Sequence, residues 1–547
     1  YAKEQPAGAV EAAAAKPMAD TEKKIWTEFD ESTLTLYVYS NHTIDLPADC
    51  TSFFANRSTL TSLDLSNFNT SNVTNMSSMF DKCTALTSLN ISSFNTSKVT
   101  NMQKMFNYCS ALTELDLSHF DTSNVRDMAA MFQCCTLLDR VDVSSFNTAN
   151  VDETGNGMRN MFYECRALTA LDLSTFDTSK VTTMQAMFGN CTQIETLKFN
   201  KNTFLTSNVT SMHTMFGGCN KLTNIDLSNF DTSKVTSMKQ MFYACFAMDV
   251  IDVSSFDTSN VTDMGYMFYN CKNTTSIVFA DDMDTSNVTD MSYMFCSCSK
   301  ITSLDVTHFD TSNVTDMKYM FYSCCNIETL DVSNFNTAKV GLGPEDNPGD
   351  TSYMFAFCEI VTELDVSNFD TSNVKNMEHM FRTCIYLKKL DLSGLDTQNV
   401  TNMQYMFYNG SRLVTLIIPD DFDTSKVTNM QYMFANCPVT SLNTKAFDVS
   451  KVTNMTLMFR GCYNLRQLDL STWNTASLKY TTSMFDACSN LKTIYVGDNW
   501  KMTQVTSSAA MFNKCTNLVG AVAYDSTKVD KTMANYTTGY LTYKAAA

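Results

Sequence analysis

Residues 60–85, LTSLDLSNFNTSNVTNMSSMFDKCTA, decide the fold, because close copies of this 26-residue repeat recur along the chain. The dipeptide Met-Phe near the end of the repeat occurs 17 times, from Met79-Phe80 to Met511-Phe512. A fixed period of this length is typical of a solenoid, in which each repeat buries its apolar side against its neighbours. We therefore expect the 547 residues to form one stack of repeats instead of several separate globules.

The apolar pattern changes within each repeat. Leu60, Leu63 and Leu65 follow the strand pattern of leucine-rich repeats, whereas the apolar residues from Val73 to Cys83 have the spacing of a short helix. The sequence predicts an α/β solenoid, a leucine-rich-repeat-like stack of about 17 repeats with a parallel β-strand face and short helices opposite. The predicted segments are an Ala-rich tether over residues 1–23, an N-terminal β cap over 24–59, the solenoid over 60–512 and a C-terminal cap over 513–547.

Charge and motif content argue against several functional classes. The chain has 39 Lys and Arg against 57 Asp and Glu, a net charge of -18, which repels nucleic-acid phosphates. It has no apolar run of about 18 residues, so we expect no membrane span. The five His have no recurring Ser or Cys partner, and neither a Gly-rich phosphate loop nor H-E-x-x-H occurs. We therefore expect neither an enzyme nor a cofactor.

Cysteines form a column of their own. Sixteen of the 17 repeats place Cys three residues after the Phe, and Gly410 is the exception. A cysteine at one fixed inward position behaves as a small buried apolar residue, so we favour a ladder of reduced thiols. Disulfides between neighbouring repeats, including a bond between Cys296 and Cys325, are the alternative. The His are scattered and no paired C-x-x-C set exists, which disfavours zinc.

Two acidic positions recur. The residue after the strand Phe is nearly always Asp or Asn, as in Asn69 and Asp121, and both side chains can accept hydrogen bonds from backbone N–H groups two or three residues on. We therefore expect an Asx-type turn there. The strand Asp, as in Asp64 and Asp116, lies between inward apolar residues and points to solvent. A solvated face is the favoured interpretation, and a binding face for a basic or cationic partner is the alternative.

The residue immediately before Met-Phe is predicted to face outward and forms the candidate binding surface. It is small or polar in the early repeats and carries a ring in seven consecutive later ones, and Tyr also follows Met-Phe in part of that region. Tyr offers a large contact area at low rotamer cost. The alternative is that each ring only covers the next repeat and stiffens the wall. The predicted binding residues are Tyr266, Tyr269, Tyr293, Tyr319, Tyr322, Tyr353, His379, Tyr405, Tyr408 and Tyr432.

Insertions interrupt two repeats between the Val and the Met-Phe pair, at residues 152–157 and 341–350. Insertions in solenoids often touch partners, and the longer one lies inside the Tyr-rich region. It carries Glu345, Asp346 and Asp350, which leaves Ca²⁺ binding open as an alternative, although it does not match the EF-hand pattern.

The chain resembles the BspA-type leucine-rich-repeat surface proteins of bacteria over residues 50–545, where it repeats the unit L-x-x-L-D-L-S-x-F-D-T-S-x-V-T-x-M-x-x-M-F-x-x-C. Residues 537–544 (TTGYLTYK) are also similar to the C-terminal ending of proteins of that family. The resemblance implies a secreted or cell-surface protein, often an adhesin, without shared catalytic residues. We therefore expect a non-enzymatic, extracellular or cell-surface protein that recognises an extracellular protein or glycan. The alternatives are a subunit of a surface filament or layer, self-associating by head-to-tail or arm-mediated contacts, and ice binding by the Thr array.

Overall fold

The chain forms a β-solenoid of about 17 turns with about 26 residues in each turn. The computed structural model describes residues 10–11, 25–30, 35–40, 42–152 and 156–546. The chain comprises two compact units, an N-terminal unit of residues 1–260 and a C-terminal unit of residues 261–547. The predicted tether lies outside the described residues except for a short strand at residues 10–11.

Short parallel strands recur in the N-terminal unit, one repeat apart. The strands are β1 (Val10–Glu11), β2 (Ile25–Asp30), β3 (Thr35–Ser40), β4 (Ile44–Asp45), β5 (Ser62–Asp64), β6 (Phe68–Asn69), β7 (Ser88–Asn90), β8 (Ala170–Leu173), β9 (Thr196–Phe199) and β10 (Val250–Asp252). Strand β2 pairs antiparallel with both β1 and β3, and β3 then pairs in parallel with β5 and β5 with β7. Parallel pairs also join β4 to β6 and β8 to β9.

The C-terminal unit has the same parallel pairing. Its strands are β11 (Ser276–Val278), β12 (Lys389–Asp391), β13 (Thr415–Ile417), β14 (Gln467–Leu470), β15 (Thr493–Val496) and β16 (Thr542–Tyr543). Strand β12 pairs with β13, β14 with β15, and β15 with the last strand β16. Two 3₁₀ turns, Thr444–Ala446 and Lys531–Met533, are the helical segments of the described residues.

The prediction of a short helix opposite the strand face is wrong. The segment from Val73 to Cys83, and its equivalents in other repeats, is a run of tight turns. In one solenoid turn, or rung, the backbone N–H of Met76 donates to the carbonyl of Asn101 at 2.9 Å, and that of Phe80 donates to Met105 at 2.9 Å. Alternate amides therefore bond to the next rung. An α-helix uses the same amides for its own i→i−4 bonds, so the two arrangements exclude each other.

Left-handed backbone conformations produce these tight turns. The residue before Met-Phe has a positive φ in all 17 repeats, between 49° and 59°, and none of these residues is glycine. The residue two positions after the Phe is also left-handed, and only Gly218 and Gly461 are glycines there. A left-handed residue with a side chain costs roughly 1–2 kcal/mol. Each rung therefore depends on the hydrogen bonds and packing that its neighbours supply.

Aromatic rings and sulfur fill the interior. The Phe rings of consecutive Met-Phe pairs stack face to face, with centroids 5.3–6.1 Å apart in the N-terminal unit and 5.5–5.8 Å apart in the C-terminal unit. Met76 and Met79 are fully buried. Phe54 stacks on Phe80 at 5.6 Å, so a further rung without Met-Phe lies within the predicted N-terminal β cap.

All twenty cysteines are free, as a reduced ladder predicts. The ladder thiols donate to the Phe carbonyl of the preceding rung, for example Cys324 Sγ to Phe295 O at 3.1 Å. Cys296 and Cys325 do not pair, and Cys325 Sγ instead approaches the carbonyl of Ser299 at 3.7 Å. Burial raises the pKa of the ladder thiols, that of Cys191 to about 12, so they stay protonated at neutral pH.

A buried threonine column was not anticipated from the sequence. The Thr that follows the Asx residue is at most 1% exposed in most rungs, for example Thr311. Its hydroxyl donates to the carbonyl of Asn336 at 3.0 Å and accepts from the N–H of the same residue at 2.8 Å. The column therefore ties neighbouring rungs together by paired polar contacts inside the core.

We predict that Thr311→Val lowers the free energy of unfolding by about 1–3 kcal/mol, because it keeps the volume but leaves the backbone groups of Asn336 without their partner. Urea unfolding followed by circular dichroism measures the difference. The matched control is Thr302→Val, because Thr302 is an exposed threonine of the same unit. Equal stability of the two variants would show that the column does not hold the rungs together.

We predict that the ladder cysteines resist iodoacetamide in the native protein at mildly alkaline pH and react only after unfolding, since burial both shields the thiols and keeps them protonated. Cys325, which is half-buried, should react first. Mass spectrometry of peptides alkylated with and without guanidinium chloride tests this. Native labelling of the ladder thiols at the unfolded rate would contradict it.

Candidate binding surface

The seven rings predicted before Met-Phe form one continuous stack in the C-terminal unit. Tyr266, Tyr293, Tyr319 and Tyr353 lie face to face with centroids 4.3–4.5 Å apart and interplanar angles of 6–9°. The stack continues through the remaining three rings at 4.2–4.5 Å and 10–11°. These rings are closer to one another than the Phe rings of the core. The remaining members of the stack are His379, Tyr405 and Tyr432.

The three tyrosines predicted after Met-Phe flank this stack. Tyr322 lies 5.3 Å from Tyr319 and 6.0 Å from Tyr353, measured between ring centroids. Tyr269 and Tyr408 contact their own pairs of stacked rings at 5.6–6.3 Å. All ten predicted residues therefore belong to one ring array, which spans seven rungs.

Arg382 and Phe357 extend the array and were not predicted. The guanidinium carbon of Arg382 lies 5.0 Å from the ring centroid of Phe357, 5.6 Å from that of Tyr405 and 5.3 Å from that of Tyr408. Its Nη1 is 3.2 Å from Nδ1 of His379. Arg382 occupies the same position after Met-Phe as the flanking tyrosines, and that shared position was the available sequence signal.

The stacked geometry determines which atoms a partner can reach. Each inner ring has a neighbour on both faces, so a partner can reach these rings at their edges only. The tyrosines of the stack are half-buried, and His379 is 5% exposed. The rings do cover one another, as the architectural alternative expected. Recognition of a partner by the same residues stays a prediction.

A column of carboxylates runs three residues before the stacked tyrosines. Asp290 and Asp316 are joined by a parallel backbone bridge, and Lys318 Nζ lies 2.8 Å from Asp316 Oδ2. Burial, then the neighbouring Tyr266 and, more weakly, Asp316, raise the pKa of Tyr293. Burial raises that of Tyr319 as well. These hydroxyls therefore stay protonated at neutral pH and can both donate and accept hydrogen bonds.

The insertion at residues 341–350 packs beside this column. Lys318 Nζ also donates to Asn347 Oδ1 at 2.9 Å, and a Cβ on Gly349 would clash with the carbonyl oxygen of Thr315. Glycine at 349 therefore permits the close approach, with φ at 77°. The residues that the structure describes contain no group of three acidic, His or Cys side chains suited to a metal ion, and Asp350 instead accepts from the N–H of Ser352 at 2.7 Å.

Both recurring acidic positions close local turns. Asn69 Oδ1 accepts from the N–H of Ser71 at 3.0 Å, which confirms the predicted Asx turn. The strand Asp does the same, because Asp64 Oδ1 accepts from the N–H of Ser66 at 3.0 Å. In one repeat Ile417 stands in place of the strand Asp, and Pro419, two residues on, has no N–H to donate to such a turn.

The strand carboxylates remain exposed while they close these turns. Asp172 Oδ2 accepts from Lys198 Nζ at 2.7 Å, and this hydrogen bond, followed by that from Ser174, lowers the pKa of Asp172 to about 2. The strand face therefore keeps its negative charge at neutral pH. Its use as a binding face for a cationic partner stays a prediction.

These features define a β-solenoid repeat protein with a polar, aromatic outer wall. The family model described as "Mycoplasma protein of unknown function, DUF285" matches residues 48–157, 156–279, 270–342, 347–437 and 416–525, so the chain belongs to that family. No curated protein matches. The finer resemblance to BspA-type proteins stays a prediction.

Two solved structures are similar to the chain at low identity. One is a leucine-rich repeat protein from Eubacterium ventriosum, with 16% identity, a TM-score of 0.32, and coverage of 66% of this chain and 86% of the other. The second is the functional domain of InlJ from Listeria monocytogenes, whose description includes a cysteine ladder, with 15% identity, a TM-score of 0.20, and coverage of 80% and 74%. No helix in the described part of the chain is long and apolar enough to cross a membrane.

We predict that His379→Phe makes the protein less sensitive to acid. Burial, then Arg382, lowers the pKa of His379 to about 4, so the native state holds the neutral ring, whereas the unfolded chain binds a proton below its ordinary value near 6.5. Stability is thus lost as the pH falls from about 6.5 towards 4. The loss amounts to about 2 kcal/mol at pH 5.

Urea unfolding at about pH 7 and about pH 5 measures this difference. The variant should lose about 2 kcal/mol less than the wild type between the two pH values, because Phe keeps the ring in the stack and does not titrate. Tyr353→Phe, at the adjacent ring, serves as the control and should follow the wild type. An unchanged pH dependence in the His379 variant would refute the assignment.

Proposed function

We propose that the protein is a non-enzymatic, adhesin-like binding protein that acts at the cell surface or outside the cell and recognises an extracellular protein or glycan. The observation that carries this proposal is the ring array of the C-terminal unit, in which ten predicted side chains form one surface across seven rungs. Tyr is enriched in recognition surfaces because it combines a large apolar ring with a polar hydroxyl.

The stacked arrangement favours recognition by hydrogen bonds along a flat surface. The ring faces are occupied by neighbouring rings, whereas the ring edges follow one another at the spacing of the rungs. The stacking and the contacts of Arg382 hold the side chains in place before a partner binds. A preordered surface loses less side-chain entropy on binding, which raises the affinity that a given set of contacts provides.

The C-terminal segment supports a binding protein over a head-to-tail filament. Tyr540 is fully buried and lies edge-on against the ring of Phe512 at 5.5 Å, and its hydroxyl lies within hydrogen-bond distance of two carbonyl acceptors, Asp525 O at 3.0 Å and Lys528 O at 2.9 Å. The last Phe of the ladder is thus covered by its own chain. We propose that residues 513–547 act as a cap that opposes docking of a second copy at this end.

We predict that replacing Tyr293, Tyr319 and Tyr353 together by Phe weakens partner binding at least tenfold with little loss of stability, because Phe keeps the stack but removes three hydroxyls. The measurement is binding to immobilised fibrinogen, fibronectin, laminin and collagen and to a glycan array. Tyr463→Phe is the matched control, since Tyr463 is exposed in the same unit and outside the array.

A partner bound equally by the triple variant and by the Tyr463 control would remove the ring array from the binding surface. Failure of the wild-type protein to bind any member of the panel would contradict the proposed function itself. Light scattering of the same samples tests the filament alternative, because a monodisperse monomer at high concentration argues against assembly.

A further inference from the structure

The insertion at residues 341–350 places an amide side chain beside a lysine and a buried carboxylate. Lys318 Nζ donates to Asn347 Oδ1 at 2.9 Å and lies 2.8 Å from Asp316 Oδ2. Asn347 Nδ2 lies 3.5 Å from the same oxygen of Asp316. One carboxylate oxygen therefore contacts both the amine of the lysine and the amide nitrogen of the asparagine.

Two backbone amides hold this carboxylate in place. Asp316 Oδ1 accepts from the N–H of Lys318 at 3.1 Å and from that of Asp350 at 3.4 Å. Asp316 is 2% exposed, so its other oxygen meets the amine and the amide where bulk water is largely excluded. A carboxylate fixed within hydrogen-bond reach of two such groups can move a proton from one to the other.

The insertion brings Asn347 to this carboxylate by a backbone turn of its own. The N–H of Asn347 donates to the carbonyl of Pro344 at 2.9 Å, and the N–H of Gly343 donates to the carbonyl of Pro348 at 2.8 Å. The two prolines further restrict the backbone of the turn. The amide is thus held beside the amine in advance, which is the condition under which an intramolecular reaction gains most.

The lysine becomes a nucleophile only when it gives up a proton. Burial lowers the pKa of Lys318, but Asp316, and then Asp350 and Asp290, raise it further, so that it lies above its ordinary value. The neutral amine therefore forms by transfer of a proton to a neighbouring carboxylate. Asp316 is the carboxylate in contact with Lys318 Nζ, so it is the base of this step.

We propose that Lys318 and Asn347 form an intramolecular isopeptide bond, with Asp316 as the catalytic residue. The bond joins residues that are 29 positions apart and fixes the insertion to the rung that carries Tyr319. It is a modification of the chain itself and does not depend on the proposed function of the ring array.

The reaction needs no oxidant and no cofactor. Asp316 takes a proton from the ammonium group of Lys318, and the neutral Nζ attacks Cγ of Asn347. The new Nζ–Cγ bond replaces the Cγ–Nδ2 bond, and Asp316 delivers its proton to Nδ2, which leaves as ammonia. Asp316 then takes the second proton that Nζ loses and passes it to the ammonia, so that one ammonium ion is released and Asp316 is a carboxylate again.

The repeat pattern supplies an internal comparison. In another column, five lysines contact an Asn of the preceding rung, and none of the five forms an ion pair with a carboxylate in the part of the chain that the structure describes. Lys318 is also the only lysine that lies two residues after an Asp at this position of the 17 repeats. The bond is therefore expected at Lys318 alone. The five pairs without an acid are Lys98–Asn72, Lys180–Asn150, Lys234–Asn208, Lys339–Asn313 and Lys426–Asn399.

Mass spectrometry of the intact, denatured full chain tests the proposal. The wild type should be lighter than its sequence by one ammonia. Lys318→Arg should have the full mass, because a guanidinium keeps the positive charge but cannot be deprotonated to a nucleophile. Asn347→Ala should also have the full mass. The matched control is Lys426→Arg, at a Lys–Asn pair without an acid, which should lose one ammonia as the wild type does.

Tryptic digestion locates the bond. The wild type should give a branched peptide that joins residue 318 to residue 347, with cleavage after Lys318 blocked. This peptide distinguishes the isopeptide bond from a succinimide, which also releases ammonia but does not link two segments. Asp316→Asn keeps the size of the side chain but cannot take up the proton, so it should form the branched peptide at least tenfold more slowly.

Circular dichroism checks that each variant is folded. Lys318 is partly exposed and Asn347 is exposed, so their variants keep the test decisive if the Asp316 variant is unstable. Three results would overturn the proposal: the full sequence mass in wild-type protein after prolonged incubation in the folded state, which would leave only an ion pair; loss of ammonia without the branched peptide; or undiminished bond formation in a folded Asp316→Asn variant.

Discussion

Backbone hydrogen bonding between successive rungs is the constraint on which the structure depends. Alternate amides of each rung bond to carbonyls 25 residues further on in regular repeats, as Met76 does to Asn101. The distance between equivalent residues of adjacent rungs is therefore nearly the same at every position of the repeat. Each position thus forms a column of side chains along the solenoid. The two left-handed residues of each rung are tolerated because these bonds and the stacked Phe rings compensate for their strain.

The same buried backbone carbonyls then need a hydrogen-bond donor in every rung, and side chains of the inward columns supply it. The Phe carbonyl receives the cysteine thiol of the next rung, and the carbonyl of the Asx residue receives a threonine hydroxyl. Cys and Thr are small enough for the interior and still carry a donor, which explains why they recur where Ala or Val would fill similar space. The protein thus builds a core whose polar groups are paired by repetition.

The sequence was sufficient to predict what depends on periodicity. The solenoid, the buried Met and Cys columns, the Asx turn at Asn69 and the ring column all follow from spacing and side-chain character. The backbone conformation between Val73 and Cys83 could not be predicted from this spacing. Apolar residues three and four positions apart are compatible both with a helix and with consecutive tight turns. Left-handed residues are usually signalled by glycine, and here Ser78 and Lys82 adopt that conformation.

Side-chain contacts between neighbouring rungs were the second feature that the sequence did not predict. The cation–π contacts of Arg382 and the turn-closing role of Asp64 involve pairings that a single repeat does not reveal. A Ser two residues after the strand Asp was the available signal for the latter, since an Asx turn needs a backbone N–H at that place. The sequence could predict which residues share a column, but not which atoms of adjacent columns meet.

The column before Met-Phe shows how a uniform backbone carries different surface chemistry. All 17 of its residues are left-handed and none is glycine, although glycine would relieve the strain. Contacts of the side chain offset part of that cost where neighbouring rungs supply them. Stacked rings do so in the C-terminal unit, where Tyr319 contacts a ring on each side. Short or charged side chains in the N-terminal unit leave that space open, so the same position produces a wall of rings in one unit and an open groove, lined by Lys104 and Ala130, in the other.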